Sequence, residues 1–277
     1  MMKAENIKVM TAKSFELRRD ILDMVYRAKT GHIGGDFSVC DILNVLYSSV
    51  MNISPENFKN VGSRDHFILS KGHSVEALYV VLADKGFFPK EDLKSYSEFG
   101  SKYIGHPTNK VNGIEMNSGS LGHGLSVGVG MALALKGGKN RVYVVMGDGE
   151  QAEGSVWEGA MSAGHYKLSN LCAVVDRNHL QISGTTEAVM TPAVLGDRYA
   201  AFGWNVIPVN GNDSGELLSA FEKAEACTDK PSVLIAETTK GCGVSFMENR
   251  AEWHHRVPTE EEYRQAAEEL KAKEAAV

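Results

Sequence analysis

The central part of the chain alternates apolar runs with polar turns in one order. Val142–Met146 is apolar and largely β-branched, and it stops at Gly147-Asp148-Gly149. A segment of helix length follows from Glu150 to Lys167, and a second apolar run, Leu171–Val175, ends at Asp176-Arg177-Asn178. Strand, turn, helix, strand and turn in this order form the unit of a parallel α/β sheet. Ligands of such sheets bind beyond the carboxyl ends of the strands, so both turns are predicted to face one site.

Two kinds of ligand fit these turns. Asp148 and Asn178 would present hard oxygens from neighbouring strand ends, as Mg²⁺ prefers when it also binds a diphosphate, and the helix after the glycine turn would offer free N–H groups to phosphate. However, Gly147-x-Gly149-x-x-Ala152 also matches the dinucleotide fingerprint, with Asp176 at the next strand end. An acid inside the glycine turn would repel a pyrophosphate unless a metal lay between them, which favours the metal–diphosphate interpretation.

Composition excludes several other classes of protein. The chain has 277 residues, enough for one large α/β domain or two modest ones, and its formal charge of -6 argues against a broad nucleic-acid or membrane surface. The four cysteines include no C-x-x-C pair, and no secretory h-region or membrane-length apolar run is evident. We therefore expect a cytoplasmic protein with reduced thiols, with no nucleic acid or membrane among its partners.

Histidines recur in loops rich in glycine or proline, where a side chain lies close to a ligand. One such histidine is commonly a surface or capping residue, but several in turns beside a ligand site indicate proton-transfer chemistry. The candidates are His32, His73, His106 and His254, whereas His66, His165 and His179 look like ordinary strand or helix residues.

The remaining pattern predicts a single domain over 1–277 with a terminal helix at 259–277, opened by a capping box of Thr259 and Glu262. Ser38 is predicted to cap a second helix. The predicted helices are Ala12–Lys29, Val39–Met51, Val75–Leu82, a small-residue helix ending at Leu135, and Ser214–Ala226. The further predicted strands are Asp65–Leu69, Trp204–Val209 and Ser232–Glu237.

The motifs in order resemble the thiamine-diphosphate-binding, N-terminal half of transketolase. They span most of the chain, and the block GDG-E-x-x-EG-x-x-WE is far more specific than the glycine turn alone. The matching pieces are TGHIGGDFS (30–38), LSKGHSVEALY (69–79), GHP (105–107), GSLGHG (119–124), GDGEQAEGSVWEGA (147–160), DRN (176–178), KGCGVSFM (240–247) and EWHH (252–255). The resemblance implies a three-layer α/β/α fold with a mainly parallel central sheet, and it raises the diphosphate–Mg²⁺ interpretation above the dinucleotide one.

The resemblance also implies roles for individual residues. Metal ligation falls to Asp148, Asn178 and the backbone carbonyl of Leu180. Cofactor contacts fall to His73, Gly119, Ser120, Leu121, Gly147, Gly149 and Glu150, and Glu153 is placed in an acidic network between subunits. His32, His73, His106 and His254 are expected to face the substrate, donating to its hydroxyls and moving protons.

Three positions depart from the family pattern. His123 stands where glutamine is usual, and Arg256 follows a doubled histidine, which leaves His254 and His255 as alternatives for one active-site position. Asp36 adds a carboxylate that we expect at the mouth of the site.

The glutamate that activates the thiamine ring in transketolases belongs to a second, pyrimidine-binding domain, and Glu150, Glu153 and Glu158 all follow the diphosphate turn instead. The resemblance therefore implies one subunit of a two-subunit transketolase, completed by a pyrimidine-domain partner in an α2β2 assembly. It would transfer a ketol unit between sugar phosphates, or unusual phosphorylated or sulfonated sugars. The alternatives are the α-subunit of a 2-oxoacid dehydrogenase, a non-catalytic subunit that regulates a partner, and a dinucleotide oxidoreductase.

Overall fold

A parallel five-stranded sheet runs through the middle of the protein. The computed structural model describes residues 2–190 and 194–277, with side chains from residue 4 onward. Strand order is β1-β2-β3-β7-β6, and every pairing in this sheet is parallel. The strands are β1 (His66–Leu69), β2 (Val142–Gly147), β3 (Leu171–Arg177), β6 (Asn205–Asn210) and β7 (Ser232–Glu237). A separate antiparallel pair, β4 (Leu180–Gln181) and β5 (Gly184–Thr185), follows β3.

Helices cover both faces of the sheet, which is why its strands read as continuous apolar runs. The α-helices are α1 (Met2–Ala28), α2 (Ile33–Val45), α3 (Val75–Asp84), α4 (His123–Ala134), α5 (Gly154–His165), α6 (Thr186–Met190), α7 (Leu195–Ala201), α8 (Ser214–Ala226) and α9 (Glu260–Ala275). Short 3₁₀ turns lie at Gly72–Ser74, Lys90–Ser95, Gly149–Ala152 and Ala251–His254, and a π-helical turn lies at Leu46–Val50.

Alternate residues of each strand enter two separate cores. On β2, Tyr143 and Val145 pack in the core formed with α1, α2, α3 and α8, whereas Val144 and Met146 pack in the core formed with α4, α5 and α7. The predicted three-layer α/β/α architecture with a parallel sheet is therefore confirmed. Within the described part of the chain, no helix is both long and apolar enough to cross a membrane.

Several predicted boundaries were wrong. Ser38 lies inside α2 rather than capping it, because its hydroxyl donates to the buried carboxylate of Asp176 at 2.6 Å. The helix predicted to begin at Glu150 begins at Gly154, after a 3₁₀ turn in which Asp148 accepts from the N–H of Gly149. Helix α1 starts ten residues earlier than the predicted Ala12, at Met2.

The capping box of α9 is present as predicted, with Thr259 and Glu262 each accepting from the other's backbone N–H.

Candidate active site

Four strand ends meet at one edge of the sheet and open into a cavity of about 400 Å³. Lys71 follows β1, Asp148 follows β2, Asn178 follows β3 and Lys240 follows β7, and all four line this cavity. Parallel strands bring their carboxyl ends together, so residues far apart in sequence become neighbours here. The rest of the lining is His32, His73, His106, Gly119, Leu121, Gly147, Gly149, Glu150, Ala152, Glu153, Leu180, Gln181, Ile182 and His254.

Asp176 forms the buried floor beneath this edge. Its carboxylate is fully buried and accepts from the hydroxyls of Ser38 and Thr238 and from the ammonium of Lys71. Lys71 donates in addition to the carbonyl of Gly35 at 3.2 Å. A dinucleotide site needs an acid at this strand end whose oxygens are free for ribose hydroxyls. Because the oxygens of Asp176 are occupied and out of reach, the geometry argues against a dinucleotide.

Asp148, Asn178 and the carbonyl of Leu180 offer the oxygen donors that the resemblance implies for Mg²⁺. Asp148 is buried and accepts from the N–H groups of Gly149 at 2.8 Å and His179 at 2.5 Å. The amide oxygen of Asn178 accepts from Leu180 N–H at 3.1 Å, which fixes its orientation. Burial, followed by the charge of Asp176, raises the pKa of Asp148 to about 6.

A hard cation would fit this donor set, because each oxygen keeps a free lone pair and a cation would offset the burial of Asp148. In residues 2–190 and 194–277, no group of three His, Cys, Asp or Glu side chains is arranged to hold a metal. The proposed donor set at Asp148 combines one carboxylate with an amide oxygen and a backbone carbonyl oxygen. It is therefore a different kind of site from a cluster of three His, Cys, Asp or Glu side chains.

Lys240 is a cavity residue that the sequence did not single out. Its ammonium is almost fully buried and lies 3.4 Å from the carbonyl oxygen of Leu180. Burial, followed by the charge of Lys71, lowers the pKa of Lys240 to about 8. Because Asp176 balances the charge of Lys71, Lys240 supplies the positive charge that favours an anionic ligand here. The signal available in the sequence was position: each lysine directly follows or lies close to the end of a predicted strand.

Glu150 and Glu153 both line the cavity, but their surroundings differ. Glu150 is buried and accepts from the hydroxyl of Ser70 and from the N–H groups of Gly122 at 2.7 Å and Gly147 at 2.9 Å. Its carboxylate therefore ties the loop before α4 to the ends of β1 and β2. Glu153 is exposed at the rim, and a side chain on Gly122, whose φ is +86°, would collide with it.

The four predicted histidines converge on the cavity from four loops. The ring centroid of His32 lies 5.4 Å from that of His73, 6.5 Å from that of His106 and 5.7 Å from that of His254. The ring of His255 is closer to His32, at 4.6 Å, but His255 does not line the cavity. Of the doubled histidine, His254 is the one that faces the candidate site.

These imidazoles are held in their neutral form. Burial, followed by the neighbouring His255, lowers the pKa of His32 to about 4, and burial followed by Lys240 lowers the pKa of His254 to about 3. Burial also lowers the pKa of His73 and of His106. The Nδ1 atoms of His32 and His254 are buried, and among the described residues neither has a hydrogen-bond partner. A bound ligand could satisfy both.

One expectation about a neighbouring position was wrong, and two other positions do not line the cavity, so the cofactor contact expected of Ser120 stays a prediction. Asp36 does not lie at the mouth of the site: it is fully buried in α2 and absent from the cavity wall. Ser120 is exposed between two lining residues, Gly119 and Leu121, without lining the cavity itself. His123 begins α4 as an exposed residue and is also outside the cavity wall.

Comparison with known proteins connects this geometry to a family. The family described as "Transketolase, thiamine diphosphate binding domain" matches residues 11–275. Over 271 residues the chain is 50% identical to one subunit of the apulose-4-phosphate transketolase of Phocaeicola vulgatus, covering 97% of this chain and 95% of that protein. It is 40% identical over 257 residues to the 6-deoxy-6-sulfo-D-fructose transketolase subunit SqwG of a Clostridium species, covering 92% of this chain and 93% of that protein.

A solved structure agrees with the sequence relatives. Transketolase from Leishmania mexicana superposes with a TM-score of 0.87 at 29% identity, over 97% of this chain. The chain spans 41% of that longer protein. These relatives are transketolases, so the 2-oxoacid dehydrogenase alternative is not favoured. The family match covers residues 11–275, and the 50% identical relative is a subunit of similar length. The chain therefore belongs to the family of thiamine-diphosphate-binding domains of transketolases.

Proposed function

We propose that the chain is the thiamine-diphosphate- and Mg²⁺-binding subunit of a two-subunit transketolase that transfers a two-carbon ketol unit from an anionic ketose to an aldose. The observation that carries the proposal is the convergence of Asp148, Asn178, two buried lysines and four neutral histidines on one cavity. Oxygen donors and lysines suit a metal diphosphate, and neutral imidazoles suit a hydroxylated sugar.

Asp148, Asn178 and the Leu180 carbonyl would hold the metal, and Gly149, Gly119 and Leu121 would lie against the cofactor. Thiamine diphosphate, when bound, supplies the carbanion chemistry of ketol transfer. The chain's own residues do the rest: the histidines donate to or accept from sugar hydroxyls, because a neutral imidazole carries one donor and one acceptor nitrogen. His32 and His254, whose Nδ1 atoms have no partner within the described residues, are the foremost candidates for holding and moving the substrate proton.

A second chain would complete the site. Two relatives of nearly the same length are named as subunits, and the chain covers 95% and 93% of them. Ile182, which is 76% exposed, lies on the cavity wall in the turn between β4 and β5. In the proposed assembly the partner chain would cover this side chain. The proposed partner carries the pyrimidine-binding domain and the activating glutamate, in an α2β2 assembly.

The 50% identical relative is named for apulose-4-phosphate, and the 40% identical relative for 6-deoxy-6-sulfo-D-fructose. Both names describe anionic sugars. We therefore propose a phosphorylated ketose donor, with apulose-4-phosphate as the first to be tried because it belongs to the more similar relative.

Reconstitution tests the function. The purified chain, with thiamine diphosphate and Mg²⁺, is assayed alone and with a pyrimidine-domain chain, using apulose-4-phosphate, 6-deoxy-6-sulfo-D-fructose and xylulose-5-phosphate as donors. Ketol transfer only in the mixture is the expected result. Full turnover by the isolated chain would refute the split site, and failure to bind the cofactor in either preparation would refute the function. Turnover of a 2-oxoacid, or binding of a nicotinamide dinucleotide, would support one of the other enzyme classes.

A further inference from the structure

Asp36 in α2 and Glu76 in α3 bury two carboxyl groups against one another behind the histidine cluster. Both side chains are fully buried, and the carboxyl of Asp36 accepts from the backbone N–H of Ala77, the residue next to Glu76. Asp36 Oδ2 and Glu76 Oε2 are buried, and neither has a hydrogen-bond partner among the described residues. Two ionised carboxylates buried side by side would repel each other, whereas one shared proton would let an oxygen of one carboxyl donate to the other. The burial and the two unsatisfied oxygens therefore favour one bound proton over two negative charges.

Lys71 does not neutralise the carboxyl pair. The ammonium of Lys71 is committed to Asp176 and to the carbonyl of Gly35. Burial, followed by the neighbouring Glu76, raises the pKa of Asp36 well above its ordinary value, and burial raises the pKa of Glu76 to about 7. The other titratable groups that face the pair are Cys40, Lys71, Tyr79, Tyr96 and Lys240.

The outer oxygen of each carboxyl fastens a neighbouring segment. Glu76 Oε1 accepts from the backbone N–H of His32 at 3.3 Å and from the hydroxyl of Tyr96 at 2.6 Å. Asp36 Oδ1 accepts from the backbone N–H of Ala77 at 3.1 Å, which ties α2 to α3. The loop sits tightly on this pair, since a side chain at Gly31 would come within 2.9 Å of Glu76 Oε1.

Helix α3 also holds the loop of a second histidine. Tyr79 donates its hydroxyl to the carbonyls of Ile104 at 3.0 Å and His106 at 3.3 Å. Within one turn of α3, Glu76 and Tyr79 therefore fix the backbones of His32 and His106, whose rings lie 6.5 Å apart in the cavity. The carboxyl pair is the part of this arrangement that depends on a proton.

We propose that Asp36 and Glu76 form a proton-sharing carboxyl pair that positions His32 against the active site. Neither residue lines the cavity, so both are positioning residues and not catalytic ones. This inference rests on the proposed function in one respect, because it takes from that function the catalytic task of His32. The pair and its hold on His32 are properties of the chain itself.

Amide variants test the shared proton separately from the hydrogen bonds that the two carboxyls accept. In Glu76→Gln the amide oxygen still accepts from His32 and Tyr96, and the amide nitrogen donates to Asp36, with no shared proton needed. Asp36→Asn does the same from the other side. Glu76→Leu removes the acceptor for His32 altogether. The matched control is Glu115→Gln, which alters a buried carboxylate that is paired with Arg64 at 2.8 Å and does not line the cavity.

The first measurement is infrared difference spectroscopy of the isolated chain at neutral pH. We expect a protonated-carboxyl band in the wild type and in Glu115→Gln. The band should be lost in Asp36→Asn and in Glu76→Gln. Absence of the band in the wild type would overturn the shared proton. Because this measurement needs no turnover, it stands even if the proposed function fails.

The second measurement follows His32 directly, by the ¹⁵N chemical shifts of its ring in the isolated chain, and then kcat in the reconstituted enzyme. Glu76→Leu is expected to shift the His32 signals and to lower kcat about 10-fold to 100-fold while cofactor affinity is retained, because small displacements of a reacting group carry costs of this size. The decrease in kcat should be far smaller in Glu76→Gln. Unchanged His32 signals in Glu76→Leu would overturn the positioning role. Should Glu76→Leu not fold, Glu76→Ala, which also removes the acceptor for His32 but is smaller, provides the same test.

Discussion

The imidazole of His73, just after the first strand, stacks on the imidazole of His254, near the end of the chain, with ring centroids 5.3 Å apart and an interplanar angle of 25°. Two protonated rings would repel one another in this arrangement. Burial lowers the pKa of both groups, and the charges of Lys71 and Lys240 add to the effect. The cavity therefore presents neutral imidazoles to its ligand across the ordinary range of pH.

The orientation of His254 predicts a difference between the two members of the doubled histidine. His254→Ala is expected to lower kcat of the reconstituted enzyme by about 100-fold or more, as the loss of a proton-transfer group commonly does. His255→Ala, which removes a ring outside the cavity wall, should have a much smaller effect. Steady-state kinetics with a ketose phosphate donor would compare them, and an equal loss in both variants would contradict the assignment.

The lowered pKa of His254 predicts a pH-dependent contribution to stability. The unfolded chain takes up a proton near pH 6.5, whereas the folded chain resists it until about pH 3. Protons therefore favour the unfolded state, and this group's contribution to the free energy of unfolding falls as the pH drops from about 6.5 towards 3.

Relative to the wild type, His254→Asn should gain stability as the pH falls. Urea unfolding at several pH values would measure the difference, with His165→Asn as an exposed-histidine control. A difference between wild type and His254→Asn that does not change with pH would contradict the argument.

Lys71 and Asp176 form a fully buried ion pair, so removing one partner leaves an uncompensated charge. Lys71→Met is expected to lower the free energy of unfolding by about 3–5 kcal/mol. The double variant Lys71→Met/Asp176→Asn should recover much of this loss, because no buried charge is then left alone. Chemical denaturation of the two single variants and the double variant would measure the coupling, and strictly additive losses would refute it.

Asp148→Ala is expected to abolish metal-dependent binding of thiamine diphosphate, with a loss of at least about 100-fold, because it removes the only carboxylate of the proposed ligand set. Calorimetric titration of the cofactor with and without Mg²⁺ would show the change. Asp229→Ala, at an exposed position, serves as the control. Unchanged magnesium dependence in Asp148→Ala would remove the metal assignment.

Gly164 illustrates a packing limit on the helix behind the site. A Cβ there would lie 1.8 Å from the carbonyl oxygen of Phe202, a backbone atom that cannot move aside cheaply. Gly164→Ala in α5 should therefore destabilise the chain by about 1–3 kcal/mol or more. Gly130→Ala in α4 meets open space and should stabilise the isolated chain by up to about 1 kcal/mol. Thermal unfolding would test the pair, and equal effects would contradict the packing argument.

Local pattern was sufficient for the five strands of the central sheet and for the edge of the sheet that carries the site, but it did not predict α6, α7 or the β4–β5 pair. The apolar runs at β2 and β3 predicted buried parallel strands, and the polar turns after them predicted where Asp148 and Asn178 would lie. Histidines in glycine-rich loops pointed to the same cavity. Such signals are readable because strand periodicity and turn chemistry act over a few neighbouring residues.

Long-range contacts determined the features that the local sequence pattern did not predict. Ser38, a good capping residue by type, lies within α2 because Asp176, far along the chain, accepts its hydroxyl. Lys240 became a cavity residue only when β7 paired with β3.

Asp36, expected at the mouth of the site, is buried where α2 packs on α3, and the backbone N–H of Ala77 gives its carboxyl a donor. The sequence by itself determined which side chains could perform the chemistry. The tertiary structure decided which of them face the ligand, because burial, charge pairing and loop position depend on residues that no local window contains.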